Sequence, residues 1–299
     1  MNKIVREMSV FEIGAPEDRL DLEFCFLSGQ VFRWQRLPDD SWLGIEGDYW
    51  YRITQSASTL EVESNATADD LIRFLRLDWN AVDMEKRIVT KAPELEPYMD
   101  ALKGLRVLRQ SDPVETFFTF LCTPNNNIKR ITQMVHKLAA RGPLLKTVDG
   151  VDLHRFPEAE VIAAIPEQEL RTESFGYRAK TIPHLAQQLI ERGDRKYLTD
   201  LKNGPYKDAH RELVSMKGIG PKLADCICLF GLHHDEAVPV DTHIWQAMVR
   251  LYFPQYKDAA LTDKRYYEAA DFFRDRLGNL AGWAHQYLFY DNVLNWRNR

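Results

Sequence analysis

The recurrence of apolar side chains changes period near residue 67. Before it, apolar positions come in short aromatic and β-branched runs: Val31-Phe-Arg-Trp, Trp42-Leu-Gly-Ile and Tyr49-Trp-Tyr-Arg-Ile-Thr, separated by Asp, Gly and Pro. Such runs suit a pleated, half-buried surface, and the punctuation suits turns. Asp21-Leu-Glu-Phe-Cys-Phe-Leu alternates only in part and is read with them, ahead of a turn at Ser28-Gly-Gln. The first 65 residues are therefore expected to form an antiparallel sheet.

Beyond residue 67 the period is helical. Asp112-Pro-Val-Glu reads as a helix start, with Asp112 as cap, Pro at the first position and Glu115 at the third. After Asn127, Ile128, Ile131, Met134, Val135 and Leu138 form one stripe that Gly142-Pro143 ends. Further helical segments are expected around 157–164, 178–192, 205–216, 221–232, 242–252, 265–276 and 280–295. The fold class is then α+β, mostly α. Residues 1–104 make an N-terminal antiparallel-sheet domain with connecting helices. Residues 105–299 make a helical domain, with room for a split into two subdomains flanking a cleft.

Composition narrows the class. Hydrophobic residues make up 45% of the 299, enough for a packed core. No run approaches the ~18 apolar residues of a membrane span, and Met1-Asn-Lys-Ile-Val-Arg-Glu lacks the apolar stretch of a leader. A soluble intracellular protein is expected. Cys25, Cys122, Cys226 and Cys228 form no Cys-x-x-Cys pair and no metal quartet, so they are read as free thiols. The net charge of −5 argues mildly against a polyanionic partner, but its distribution does not. Residues 1–104 hold 12 Lys+Arg against 20 Asp+Glu, whereas 171–225 hold 11 against 7. A basic middle on an acidic chain remains compatible with DNA.

The most informative stretch is Leu213-Val-Ser-Met-Lys-Gly-Ile-Gly-Pro-Lys-Leu-Ala-Asp-Cys-Ile-Cys. One helix ends at Met216, a tight Lys217-Gly218-Ile219-Gly220 hairpin follows, and Pro221 opens a second helix. Gly218 and Gly220 permit close backbone approach, and the amides at the new helix start face outward, where a phosphate can bind. This describes a helix-hairpin-helix, a sequence-independent DNA clamp, although Gly-x-Gly alone also fits an ordinary αα-turn. Lys222 stands beside the hairpin, and 19 residues later Asp241 opens another helix in Val238-Pro-Val-Asp-Thr-His. Alone, each would be read as a solvated lysine and a helix cap; beside a clamp they read as a nucleophile and its electrostatic partner.

The run 216–245 resembles the signature of the helix-hairpin-helix, Gly/Pro-Asp superfamily of DNA glycosylases, and within it the 8-oxoguanine DNA glycosylase family. Ser28-Gly-Gln-Val-Phe-Arg-Trp, Asn125-Asn-Asn-Ile-Lys-Arg, Phe175-Gly-Tyr-Arg-Ala and Ala281-Gly-Trp-Ala-His resemble that family's other segments, in order. Two positions depart: Lys217 stands where the superfamily usually has Pro, and His285 where the family has a base-reading Gln.

The resemblance implies a TBP-like form for the N-terminal sheet and a glycosylase/AP lyase acting on double-stranded DNA. The target base must leave the stack. Lys222 would then attack C1′, expel 8-oxoguanine and form a Schiff base that undergoes β-elimination. Only about one in 2,500 free lysines is neutral at pH 7, so partial burial and the helix dipole are expected to raise that fraction. Asp241 would stabilise the developing cation. Gly29 would offer its carbonyl to the N7–H of the lesion, Cys226 and Phe289 would sandwich the base, and His285 would sit at its pairing edge. Asn125, Arg130 and Arg178 would hold the orphan cytosine, with Tyr177 as wedge. Gly218, Gly220 and His243 would contact the backbone. No metal or cofactor is required, though a monovalent or calcium ion at the hairpin backbone is left open. A monomer is expected, in the nucleoid of a prokaryote or the nucleus of a eukaryote.

Three other readings compete. An adenine or pyrimidine glycosylase typically carries a cysteine-ligated cluster near the C-terminus, yet no cysteine follows Cys228. An alkylbase glycosylase typically lacks the lysine. A non-catalytic DNA-binding module would need only the hairpin.

Overall fold

The computed structural model describes residues 8–15 and 19–297; the opening Met1–Glu7, read above for a leader, lies outside them. Five strands, β1 (Ser9–Gly14), β2 (Trp34–Arg36), β3 (Trp42–Glu46), β4 (Tyr49–Gln55) and β5 (Thr59–Ser64), pair antiparallel in the order β1-β5-β4-β3-β2. The expected sheet is present, with one correction. Leu22–Leu27 is a helix, because the Asp21 carboxylate accepts from Phe24 N at 2.9 Å and caps it. Its apolar residues are buried on one side, with Phe26 stacked on Trp34 at 4.0 Å between ring centroids. The run Val31-Phe-Arg-Trp becomes strand only at Trp34, since Arg33 turns inward to Glu115 at 3.0 Å.

The rest is helical apart from an unanticipated hairpin, β6 (Leu144–Val148) with β7 (Val151–His154). Asp112 caps the helix Pro113–Leu121 through Val114 N and Glu115 N, and Asn127 caps Ile128–Ala139 through Arg130 N. The core cluster that joins these helices to the C-terminal ones also takes in Met84, Ile88, Leu95 and Met99. A smaller core lies under the sheet.

Polar contacts fix the C-terminal helix, Ala281–Arg297, against the N-terminal part. Arg76, 1% exposed, forks onto Asp235 at 2.7 and 2.6 Å, its guanidinium 4.0 Å from the Trp79 ring and 4.9 Å from the Trp283 ring. Tyr287 donates to the Leu105 carbonyl at 3.0 Å, and Gln286 Nε2 to the Ser28 carbonyl at 3.0 Å. The last bond brings the Ser28-Gly-Gln turn, from the far end of the sequence, to the helix that carries His285 and Phe289.

Candidate active site

Segments from both ends of the sequence meet around a cavity of about 300 Å³. The helix Pro221–Phe230 contributes Lys222 and Cys226, one turn apart and so on one face. Asp241 and His243 come from the start of Thr242–Leu251, and His285 and Phe289, again one turn apart, from the C-terminal helix. Gly29 closes the cavity from the N-terminal turn.

The local reason for each placement is visible. Asp241 Oδ1 accepts from Ile244 N at 2.8 Å, so the carboxylate caps its helix with one oxygen and keeps the other. Pro221 begins its helix at the position where a missing N–H costs nothing. Gly29 has φ +79°, a backbone that disfavours any side chain. The turn is braced on both sides: Gln30 Nε2 donates to the Cys25 and Arg106 carbonyls at 3.1 and 2.8 Å, while Gln286 holds Ser28.

The electrostatics correct one expectation. Burial works against the Lys222 ammonium, but the Cys226 sulfur and the Asp241 carboxylate outweigh it and hold its pKa above the usual lysine value. In the free protein the amine is therefore protonated, and the proton must leave during the reaction. Burial pushes the Cys226 thiol up to about 11, with Lys222 opposing, so the sulfur is a thiol near neutrality. His285 is brought down to about 4, chiefly by burial. Its Nε2 is 2.8 Å from the Pro239 carbonyl, which can only accept, so Nε2 carries the hydrogen. Nδ1 is then an acceptor, buried and without a hydrogen-bond partner among the described residues. The imidazole lies parallel to Phe289, 10° between planes and 6.0 Å between centroids.

The residues expected at the orphan base gather elsewhere, where the loop before Ile128–Ala139 faces the start of Arg178–Arg192. The Pro124 carbonyl accepts from Tyr177 Oη at 3.2 Å and from Arg178 Nη2. Arg130 Nη2 donates to the Ser174 carbonyl at 2.8 Å. Asn125 is exposed with φ 51°, Tyr177 is 56% exposed, and Arg178 is only 3% exposed beneath the Tyr177 ring. Of the asparagine run it is Asn126 and Asn127 that reach the cavity wall, which the sequence reading did not single out. Gln286 was missed too; its partner is 258 residues away, so no local signal marks it.

At the clamp, Gly218 has φ +117° and Gly220 has open space where a side chain would project. The donors the hairpin offers a cation are neutral carbonyls, two of which, Met216 and Lys217, already accept from Ile219 N and the Gln188 amide.

Sequence comparison agrees with this geometry. The profile of the 8-oxoguanine DNA glycosylase N-terminal domain matches residues 12–117, and that of the HhH-GPD superfamily base excision DNA repair protein matches residues 118–270. The chain belongs to the 8-oxoguanine DNA glycosylase family. Within reach of the family, the N-glycosylase/DNA lyase OGG1 of Arabidopsis thaliana is 34% identical over 289 residues, 93% of this chain and 79% of that one. The N-glycosylase/DNA lyase of Saccharomyces cerevisiae is 38% identical over 217 residues, 64% of this chain and 57% of that one. The 8-oxoguanine glycosylase/lyase of Clostridium acetobutylicum, solved with double-stranded DNA containing cytosine opposite 8-oxoguanine, superposes with a TM-score of 0.82 at 27% identity over 92% of each chain. No helix among the described residues is long and apolar enough to cross a membrane.

Proposed function

We propose that this member of the family flips 8-oxoguanine out of duplex DNA and removes it with Lys222 as nucleophile. The observation that carries the reading is the cavity itself, which an amine, a carboxylate, a thiol and an aromatic face share with a backbone turn beside a helix-hairpin-helix. The lysine is held charged beside the Asp241 carboxylate until a base fills the cavity and displaces water. Asp241, with one oxygen uncommitted to its helix, supplies a base for the ammonium proton and a negative charge for the sugar cation. The neutral amine attacks C1′, the glycosidic bond breaks, and the base leaves with a proton. Opening of the sugar gives an imine, whose acidified C2′–H is lost as the 3′-phosphate departs.

Gly29 presents its carbonyl to the N7–H that distinguishes the lesion, and Cys226 and Phe289 flank the base. At the orphan site, Arg130 and Arg178 now donate to backbone carbonyls; the O2 and N3 acceptors of cytosine would replace these, whereas the N6 amino group of adenine would meet them donor to donor. Exposed Tyr177 fills the vacated place in the stack, and Asn125 stands beside it. One copy of the chain carries every part, so it acts as a monomer, without a cofactor, wherever the cell keeps its DNA.

The test is incubation with 8-oxoguanine duplex in the presence of borohydride. A covalent protein–DNA complex and a nicked strand are expected on the lesion duplex and not on an undamaged one. Binding without adduct or base release would leave only a DNA-binding module.

A further inference from the structure

The departure at Lys217 has a structural counterpart in a residue outside the hairpin. Proline at this position would fix the backbone of the turn through its ring. Here the residue has a free N–H, and that N–H donates to Gln188 Oε1 at 3.0 Å. The same amide returns the bond, Gln188 Nε2 donating to the Lys217 carbonyl at 3.3 Å. Both backbone polar groups of one hairpin residue, on the two peptide units that flank its Cα, are thus gripped by one side chain, a bracket proline could form only by half. Gln188 belongs to the helix Arg178–Arg192, and the grip continues along it. A side chain at Gly218 would stand 3.3 Å from Thr181 Cγ2 and 3.4 Å from Leu185 Cδ1, so the turn is seated directly on that helix. Positions 181, 185 and 188 recur at helical spacing and make one stripe. The first residue of the same helix is Arg178, with Tyr177 immediately before it.

We propose that Gln188 is a positioning residue for DNA binding: it locks the Lys217 peptide to the helix that starts at the Tyr177 wedge, setting the distance between clamp and wedge. The inference rests on the duplex-binding reading above. A hairpin without proline is softer, and its outward amides bind a phosphate only when held in one geometry. The bracket restores that stiffness, and by fastening it to the wedge helix it makes clamp and wedge one rigid unit. The lysine and the acid at the cavity do not touch Gln188.

The test is the affinity of the full chain for an undamaged duplex, with thermal unfolding measured alongside. Gln188→Ala should weaken binding by at least about fivefold, the equivalent of about 1 kcal/mol for lost hydrogen bonds, while Tm stays within about 3 °C, as for a surface change. Adding Lys217→Pro to Gln188→Ala should recover most of the affinity, because the ring supplies the stiffness the amide gave. At saturating protein, single-turnover excision by Gln188→Ala should match the wild type, the loss appearing in half-saturation. If the wild type binds duplex and Gln188→Ala binds it equally well, the positioning role is overturned and the duplex-binding reading stands. If affinity falls but Lys217→Pro recovers none of it, Gln188 does not act through the hairpin and the proposal is equally wrong. A wild type that does not bind duplex refutes the underlying reading instead.

Discussion

The helix Pro221–Phe230 carries ionisable groups on two neighbouring faces, and the fold treats them in opposite ways. Asp225 is fully buried, and its two oxygens accept from Tyr206 Oη at 2.6 Å and from Tyr266 Oη, with His210 at 3.8 Å. Arg274 donates to Tyr206 Oη at 2.9 Å behind it. Burial pushes the Asp225 carboxyl up and its hydrogen-bonding neighbours pull it back. On the cavity side of the same helix, Lys222 and Cys226 line an open space, and across it His285 keeps an acceptor with no partner among the described residues. A polar group whose needs are met inside the protein holds the helix in place. One whose needs are left open is kept for a ligand.

The sharpest way to break this contrast is to remove one group from each face. Lys222→Gln should reduce excision and borohydride trapping below detection while costing at most about 1 kcal/mol of stability. Retained excision by a folded Lys222→Gln protein would move the nucleophile elsewhere. Asp225→Ala, on the other face, should cost about 3 kcal/mol in denaturant unfolding, since it removes the carboxylate that two buried tyrosine hydroxyls donate to. A stability loss no larger than that of Lys222→Gln would erase the distinction.

The orphan-base region should give a smaller effect. In single-turnover excision from duplexes differing only in the opposite base, Arg130→Ala should shrink the preference for cytosine over adenine by about tenfold, the worth of a good base contact. An unchanged ratio would return Arg130 to a phosphate contact or a solvated charge. The smallest effect is expected at His285. His285→Gln should change the excision rate only modestly, because the lesion-specific contact is proposed to be the Gly29 carbonyl, which this substitution leaves in place. The pH dependence of stability should respond, however. With a folded value of about 4 against the usual 6.5, the unfolded chain takes up a proton first as pH falls, so His285 costs stability between 6.5 and 4 and nothing above. His285→Gln should therefore flatten the acid limb of the stability curve in that window. An identical acid limb would mean that His285 is not held neutral.

What the sequence reveals follows how locally each feature is encoded. The hairpin, Pro221 at a helix start and Asp241 as cap depend on a few adjacent residues, and the structure has all of them where the pattern puts them. Leu22–Leu27 misled because its aromatic residues also suit a strand, while one carboxylate at Asp21 decides the matter. The hairpin of β6 and β7 was missed because its strands are short and largely exposed, and the alternation of Val151-Asp-Leu-His spans only four residues. The neutral fraction of Lys222 was expected to rise with partial burial and the helix dipole; the neighbours that oppose this are the turn-mate Cys226 and the distant Asp241. Gln286 and Gln188 act on partners 258 and 29 residues away, contacts that exist only once the chain is packed.

The central claim, that Lys222 supplies the attacking amine, is tested most directly by locating the covalent bond. The wild-type protein would be trapped with borohydride on 8-oxoguanine duplex, digested and sequenced by mass spectrometry. One modified peptide is expected, carrying the reduced sugar on the Lys222 side chain. An adduct on any other lysine or on the amino terminus, with Lys222 unmodified, would contradict it.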